Sequence, residues 1–97
     1  NMTIMHVTYQ GELRTEAVHE QSGNKLITDA PKDNHGKGDA FSPTDLLATS
    51  LGSCILSIMG IKARAMEVDL KGTSCQIEKI MQASPRRVSE IKVNLTW

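Results

Sequence analysis

Between Ser42 and Glu67 the chain reads SPTDLLATSLGSCILSIMGIKARAME, one long helix with both ends specified. Ser42 is suited to the N-cap, and Pro43 fits the first helical position, where its missing N–H leaves nothing unsatisfied. Asp45 stands three residues after the cap, able to close a capping box and to face the positive end of the helix. No charged side chain occurs from Leu46 to Ile61. Lys62 and Arg64 follow only near the other end, where the helix dipole favours cations.

At roughly 100° per residue, Leu47, Leu51, Cys54, Ile58, Ile61 and Ala65 fall on one apolar stripe, with Ser50 and Ser57 along its edge. Leu46, Ile55, Leu56 and Met59 widen the apolar surface, while Gly52 and Gly60 leave gaps where another backbone can approach. The expectation is a helix buried on most sides. A membrane span needs about 20 predominantly apolar residues. The uncharged run is shorter and is broken by Thr49, Ser50, Gly52, Ser53, Ser57 and Gly60, so the chain is expected to have no membrane partner.

With 97 residues the chain is expected to be one domain, 1–97, with a modest core. An all-round apolar helix lacks enough partners in so small a subunit, and a homodimer is the natural remedy. The formal net charge is zero, and Tyr9, Phe41 and Trp97 are the only aromatic residues. Nucleic acid is therefore not an expected partner, since there is neither a basic excess nor a set of stacking platforms. The N-terminal residues contain no basic region followed by an apolar run, so the expected location is cytoplasmic. Cys54 and Cys75 are too few for a disulfide scaffold and lack zinc-ligand spacing, and His6, His19 and His35 are scattered. No metal and no cofactor are expected.

Taken in order, Thr3–Gln10 alternates as a strand, Gly11 turns the chain, and Leu13–His19 forms a second strand. Ser22-Gly23-Asn24 is a hairpin signal, and Lys25–Thr28 is the short return strand, completing an antiparallel meander. Asp29–Phe41 is turn-forming throughout. It is either a solvated connector or a flexible wall beside a site. After the helix, Val68–Met81 reads as a strand bent at Gly72, with Cys75, Ile77 and Met81 on one face and Ser74, Gln76, Glu78 and Ile80 on the other. Ala83–Arg87 is a turn. In the last strand Ile91, Val93, Leu95 and Trp97 face one way, and Lys92, Asn94 and Thr96 the other. The fold class is α+β. An ending on a buried-type strand residue is what the front portion of a longer fold would show.

Cys54 is the chemical candidate, because a thiol is the strong nucleophile on the central element. Its competing role is that of a small buried hydrophobe. Position along the helix gives no activation, since Cys54 lies about three turns past the start and beyond the reach of the N-terminal partial charge. A cysteine of ordinary acidity is only about 3% thiolate at pH 7, so reactivity requires an imported cation. Arg14, Lys37, Arg64, Arg86 and Arg87 could supply one. Arg14 is the best placed, because a meander strand can pack over a helix and aim one side chain at it. Cys75, sharing a strand face with Ile77 and Met81, reads as core.

Ser42-Pro43, Leu46-Leu47, Ala48, Leu51 and Gly52-Ser53-Cys54 together resemble the helix signature of the OsmC/Ohr family, the osmotically inducible and organic hydroperoxide resistance proteins. The order of elements also resembles the front of that fold. The resemblance implies an intertwined homodimer in which long helices are buried between sheets. It further implies a thiol peroxidase that reduces organic hydroperoxides, with Cys54 becoming a sulfenic acid. A second cysteine then forms a disulfide that an external dithiol, a lipoyl protein in some members, reopens. Arg14 is the nearest match to the family's activating arginine.

Two departures from the family pattern stand out. The acidic residue that usually follows Ser/Asn-Pro and holds the arginine is matched by Thr44, with Asp45 one place later. The family's second cysteine lies C-terminal to the two last strands, and Cys75 is in the wrong element to be that residue. The expectation is either a fragment or recycling by an external thiol. The expected site is Cys54 and Arg14, with Thr44 and Asp45 shaping its mouth. The alternative is an OsmC-like dimeric binding module or truncated scaffold without turnover, in which Cys54 is merely packed.

Overall fold

A computed structural model describes residues 2–96. The chain divides into two compact units, one ending at Pro43 and the other beginning at Thr44.

The first unit is a three-stranded antiparallel sheet in the order β1 (Met5–Gly11), β2 (Arg14–His19), β3 (Lys25–Asp29). Its first turn is made by Glu12 and Leu13, both with positive φ (53° and 63°), so Leu13 belongs to the turn and not to the second strand. The second turn closes at the Ser22-Gly23-Asn24 signal, where the His19 N–H donates to the Asn24 carbonyl at 2.9 Å and the Gly23 N–H to the His19 carbonyl at 2.7 Å. That hairpin sets the β2–β3 register, pairing Val18 with Lys25 and, at the far end, Arg14 with Asp29.

The segment after β3 folds back on the sheet. The Ala30 N–H donates to the Leu13 carbonyl at 3.0 Å, and the Asp29 N–H donates to the Phe41 carbonyl at 3.0 Å. A short 3-10 turn, Lys32–Asn34, lies between these anchors. Gly36 follows in such close approach that a Cβ there would lie 1.7 Å from the Ala30 carbonyl oxygen. The loop is thus pinned over the β1–β2 turn.

The second unit contains the expected long helix, α1 (Pro43–Ala65), followed by the antiparallel pair β4 (Ser74–Gln82) and β5 (Arg87–Thr96). The expected early strand start at Val68 is replaced by a connection that turns at Gly72 (φ 92°), with the Thr73 N–H donating to the Leu70 carbonyl at 2.9 Å. Cys75 and Ile77 lie on the half-buried face of β4, as the alternation requires, and Val88, Ile91 and Val93 are half-buried on β5. The pairing slips by one residue between Ile80 and Met81. Ile80 and Met81 are consequently both half-buried, and the expected outward placement of Ile80 fails there. Trp97, expected on the apolar face of β5, lies outside the described residues.

The buried residues of α1 are Ala48, Gly52 and Ala63. A Cβ on Gly52 would meet Ile77 Cδ1 at 2.7 Å and Cys75 Sγ at 3.0 Å, so this face of the helix lies on β4. The expected stripe is a different face. In the single chain Leu47 is 59% exposed, Leu51 42%, Ile58 61% and Ile61 72%. Within the single chain the helix is not buried on most sides, because a two-stranded sheet can cover only one side of a cylinder. The gap at Gly52 is filled by side chains, while at Gly60 nothing lies within 4 Å of the place a Cβ would occupy. The length argument against a membrane span is corrected. By length and composition α1 is long and apolar enough to cross a bilayer, with only 17% of its most apolar window buried, because the helix runs past the uncharged segment at both ends.

Candidate functional site

Cys54 lies about three turns into α1, with a free, exposed thiol. The structure thus gives no packed-core role to this cysteine within the single chain. Its surroundings along the helix are the exposed Leu47, Leu51, Ile58 and Ile61. Cys75 is also free but half-buried, and it sits against Gly52 on the sheet-facing side of α1. Cys54 stands two positions after Gly52, a rotation of about 200° around the helix axis. The two thiols consequently flank opposite sides of α1.

Arg14 opens β2 directly opposite Asp29. Directly opposed residues of an antiparallel pair share a face, and the guanidinium uses that proximity fully. Its Nε donates to Asp29 Oδ1 at 2.7 Å, and its Nη2 donates to Asp29 Oδ2 at 2.8 Å. The Asp29 side chain is 1% exposed and that of Arg14 35% exposed. Hydrogen bonds from Arg14 hold the Asp29 carboxyl below the usual carboxylate range, against the opposing effect of desolvation. The same bonds, and the Asp29 charge, raise the affinity of Arg14 for its proton. Asp39 lies 4.0 Å from Nη2 on the exposed side.

The other candidate cations are differently employed. Lys37 contacts Glu12 at 2.6 Å, and that contact raises the lysine and lowers the glutamate from their ordinary values. Arg87 donates from Nη1 to the Pro85 carbonyl at 2.8 Å. Arg64 lies exposed in the last turn of α1. Arg14 is the cation fixed on a buried carboxylate, which distinguishes it from these.

Thr44 and Asp45 are brought together by a residue that sequence reasoning missed. Lys79 Nζ donates to Thr44 Oγ1 at 2.9 Å and lies 2.8 Å from Asp45 Oδ1. Lys79 follows Cys75 and Ile77 by even steps on β4, so it shares their helix-facing side. The alternation could have identified it. Asp29, the first residue of the expected loop, instead ends β3. Counting back from the Ser22-Gly23-Asn24 hairpin would have placed it opposite Arg14. Among the histidines, His6 pairs with Glu20 at 2.8 Å and His19 with Ser22 at 2.6 Å. Among the described residues no group of three His, Cys, Asp or Glu side chains could hold a metal ion.

Comparison with known proteins places this arrangement in a family. No curated protein matches the chain. A crystal structure at 2.15 Å resolution of a protein from Psychrobacter arcticus 273-4, described as an osmotic stress induced and detoxification response protein, is similar to it at a TM-score of 0.93 and 63% identity. The similarity covers 98% of this chain and 69% of that one. The family model for OsmC-like proteins matches residues 36–97, which include α1 with Cys54 and both strands of the second sheet. The chain therefore belongs to the OsmC-like protein family.

Proposed function

We propose that this protein is a thiol-dependent peroxidase that reduces organic hydroperoxides through Cys54, in a role of stress defence or detoxification. The observation that carries this reading is an exposed, unpaired thiol on the central helix of an OsmC-like chain. The description of the Psychrobacter relative as a detoxification response protein agrees with it. The Cys54 thiolate attacks the terminal oxygen of the hydroperoxide. An S–O bond forms as the O–O bond breaks, and the alkoxide takes up a proton and leaves as an alcohol. The resulting sulfenic acid is attacked by one thiol of an external dithiol, of the lipoyl class, and water departs. The second thiol then closes the reductant's disulfide and frees Cys54.

In this reading Arg14 supplies the cation that favours the thiolate. Thr44 and Asp45, tied to Lys79, shape the mouth of the site. The apolar stripe around Cys54 favours organic peroxides over hydrogen peroxide. A second copy of the chain covers the remainder of that stripe in an intertwined homodimer. The chain works in the cytoplasm and off the membrane, in keeping with the hydroxyl and glycine positions that interrupt the apolar surface of α1.

The test is consumption of cumene hydroperoxide by the purified chain with dihydrolipoamide as reductant. Wild type turns over, Cys54→Ser does not, and Cys75→Ser keeps the wild-type rate. Unchanged turnover in Cys54→Ser would end the reading. A large loss in Cys75→Ser would show that the roles of the two thiols were misassigned.

A further inference from the structure

We propose that the cleft between the end of α1 and the connection to β4 is a binding site for a free fatty acid, with the alkyl chain along the cleft and the carboxylate on Lys62. This goes beyond the peroxidase reading and does not depend on it. Every residue that lines the cleft lies in the second unit, between Ile58 and Leu70.

The cleft follows from the way α1 ends. The Val68 N–H donates to the Ala63 carbonyl at 2.8 Å and the Glu67 N–H to the Arg64 carbonyl at 3.1 Å, with Glu67 in the left-handed region at φ 58°. This is the Schellman ending, which folds the chain back on the helix it leaves. Val68 and Leu70 thereby line a cleft together with Ile58, Met59, Met66 and the buried Ala63. Its volume is about 480 Å³, within the usual range of roughly 300–1,000 Å³ for small-molecule sites. Ile58 is the one lining residue shared with the apolar stripe that carries Cys54.

The lining decides the class of ligand. All of it is apolar except Lys62. Ile58, Met66 and Val68 are exposed, so a ligand that covers them removes apolar surface from water. Met59 and Met66 are adaptable side chains suited to a flexible alkyl chain. The nearest backbone donors, the N–H groups of Met66, Glu67 and Val68, are already bonded to carbonyls of the last helical turns. A polar ligand body therefore finds nothing there to hold it. Lys62 forms no ion pair with another described residue, and a compact ammonium suits a single carboxylate. Helical side chains tilt toward the helix N-terminus, which carries the Lys62 charge back over Ile58 and away from the negative pole of α1. Glu67 and Asp69 line a different hollow, with Gly60, Arg64 and Lys71, so no described carboxylate lines the cleft. An apolar cleft with one cation at its rim is the complement of an alkyl chain with one anionic end.

Methyl NMR of the full chain, labelled at the methionine Cε atoms, follows the site directly, because Met59 and Met66 line it and Met2, Met5 and Met81 do not. Titration with laurate below its micellar concentration is expected to shift the Met59 and Met66 signals saturably at one equivalent per chain and to leave the others in place. Decanoate, two methylenes shorter, is expected to bind about tenfold more weakly. Lys62→Glu is expected to weaken laurate binding about tenfold at low salt, and to leave binding of n-dodecanol, with the same chain and no charge, unchanged. Val68→Trp, which fills the cleft, is expected to abolish both, with the Met81 signal reporting that the second unit is still folded.

Shifts of all the methionine signals, the mark of non-specific surfactant binding, would overturn the proposal, as would laurate binding that Lys62→Glu leaves intact. A response of Met59 and Met66 to dilution of the protein and not to laurate would show the cleft closed by a second copy, and would refute the fatty-acid site as well. If Val68→Trp does not fold, the exposed position of Lys62 keeps Lys62→Glu available as the deciding variant.

Discussion

A carboxylate as buried as Asp29 stays ionised only with a cation to satisfy it, and Arg14 does so with two bonds. Because this pairing lowers the affinity of folded Asp29 for a proton relative to the unfolded chain, its contribution to stability has a definite sign. It is fully present above the ordinary aspartate value, about pH 4, and is lost as pH falls through the lowered folded value. The melting temperature of the wild type is therefore expected to hold between pH 7 and about 5 and to fall below about 4. In Asp29→Asn the melting temperature is lower at neutral pH and its acid dependence is shallower. Parallel melting curves for the two proteins across this range would refute that assignment. Which residue faces Arg14 was accessible from the hairpin count, since register is arithmetic once the turn is placed. The depth of Asp29 was not accessible, because its burial depends on how the following loop folds back.

For α1, the two glycines offer opposite outcomes from similar substitutions. Gly52 faces Ile77 and Cys75 closely enough that a side chain must displace them. Gly52→Val is expected to destabilise the protein by about 1–3 kcal/mol through overpacking. Gly60 has nothing within 4 Å of its added methyl position, so Gly60→Ala is expected to stabilise by about 0.5–1 kcal/mol through helix propensity. Urea unfolding of both variants checks the pair, and equal effects would contradict the packing face described here. The sequence marked both positions as gaps. It could not separate them, because a helical period gives relative angles around the cylinder and not the direction of the sheet.

At the scale of the whole molecule, exposed apolar area is the main demand that a single chain leaves unmet. Leu47, Leu51, Ile58 and Ile61 are all more than two-fifths exposed on α1, and Met5, Val7 and Tyr9 are exposed along β1. Removing such side chains from water contributes on the order of 1–2 kcal/mol each, which is ample reason for a second copy to cover them. Sedimentation velocity is expected to show a dimer for the wild type. Ile58→Glu, which places a charge within the exposed stripe, is expected to shift the population toward monomer. A wild-type chain that sediments as a monomer at micromolar concentration would remove the homodimer from the proposed function.

The sequence alone determined the elements, because caps, turn residues and hydrophobic period act within a few neighbouring residues. It located α1, the three hairpin turns and the cysteine on the helix, and its Ser-Pro to Gly-Ser-Cys segment pointed to the family that the comparisons establish. Tertiary structure decided which face of α1 its own sheet covers, which carboxylate holds Arg14, and that Lys79 engages Thr44 and Asp45. Those outcomes join residues 15 to 35 positions apart, and a contact over that separation exists only after strands have paired and the helix has docked on them.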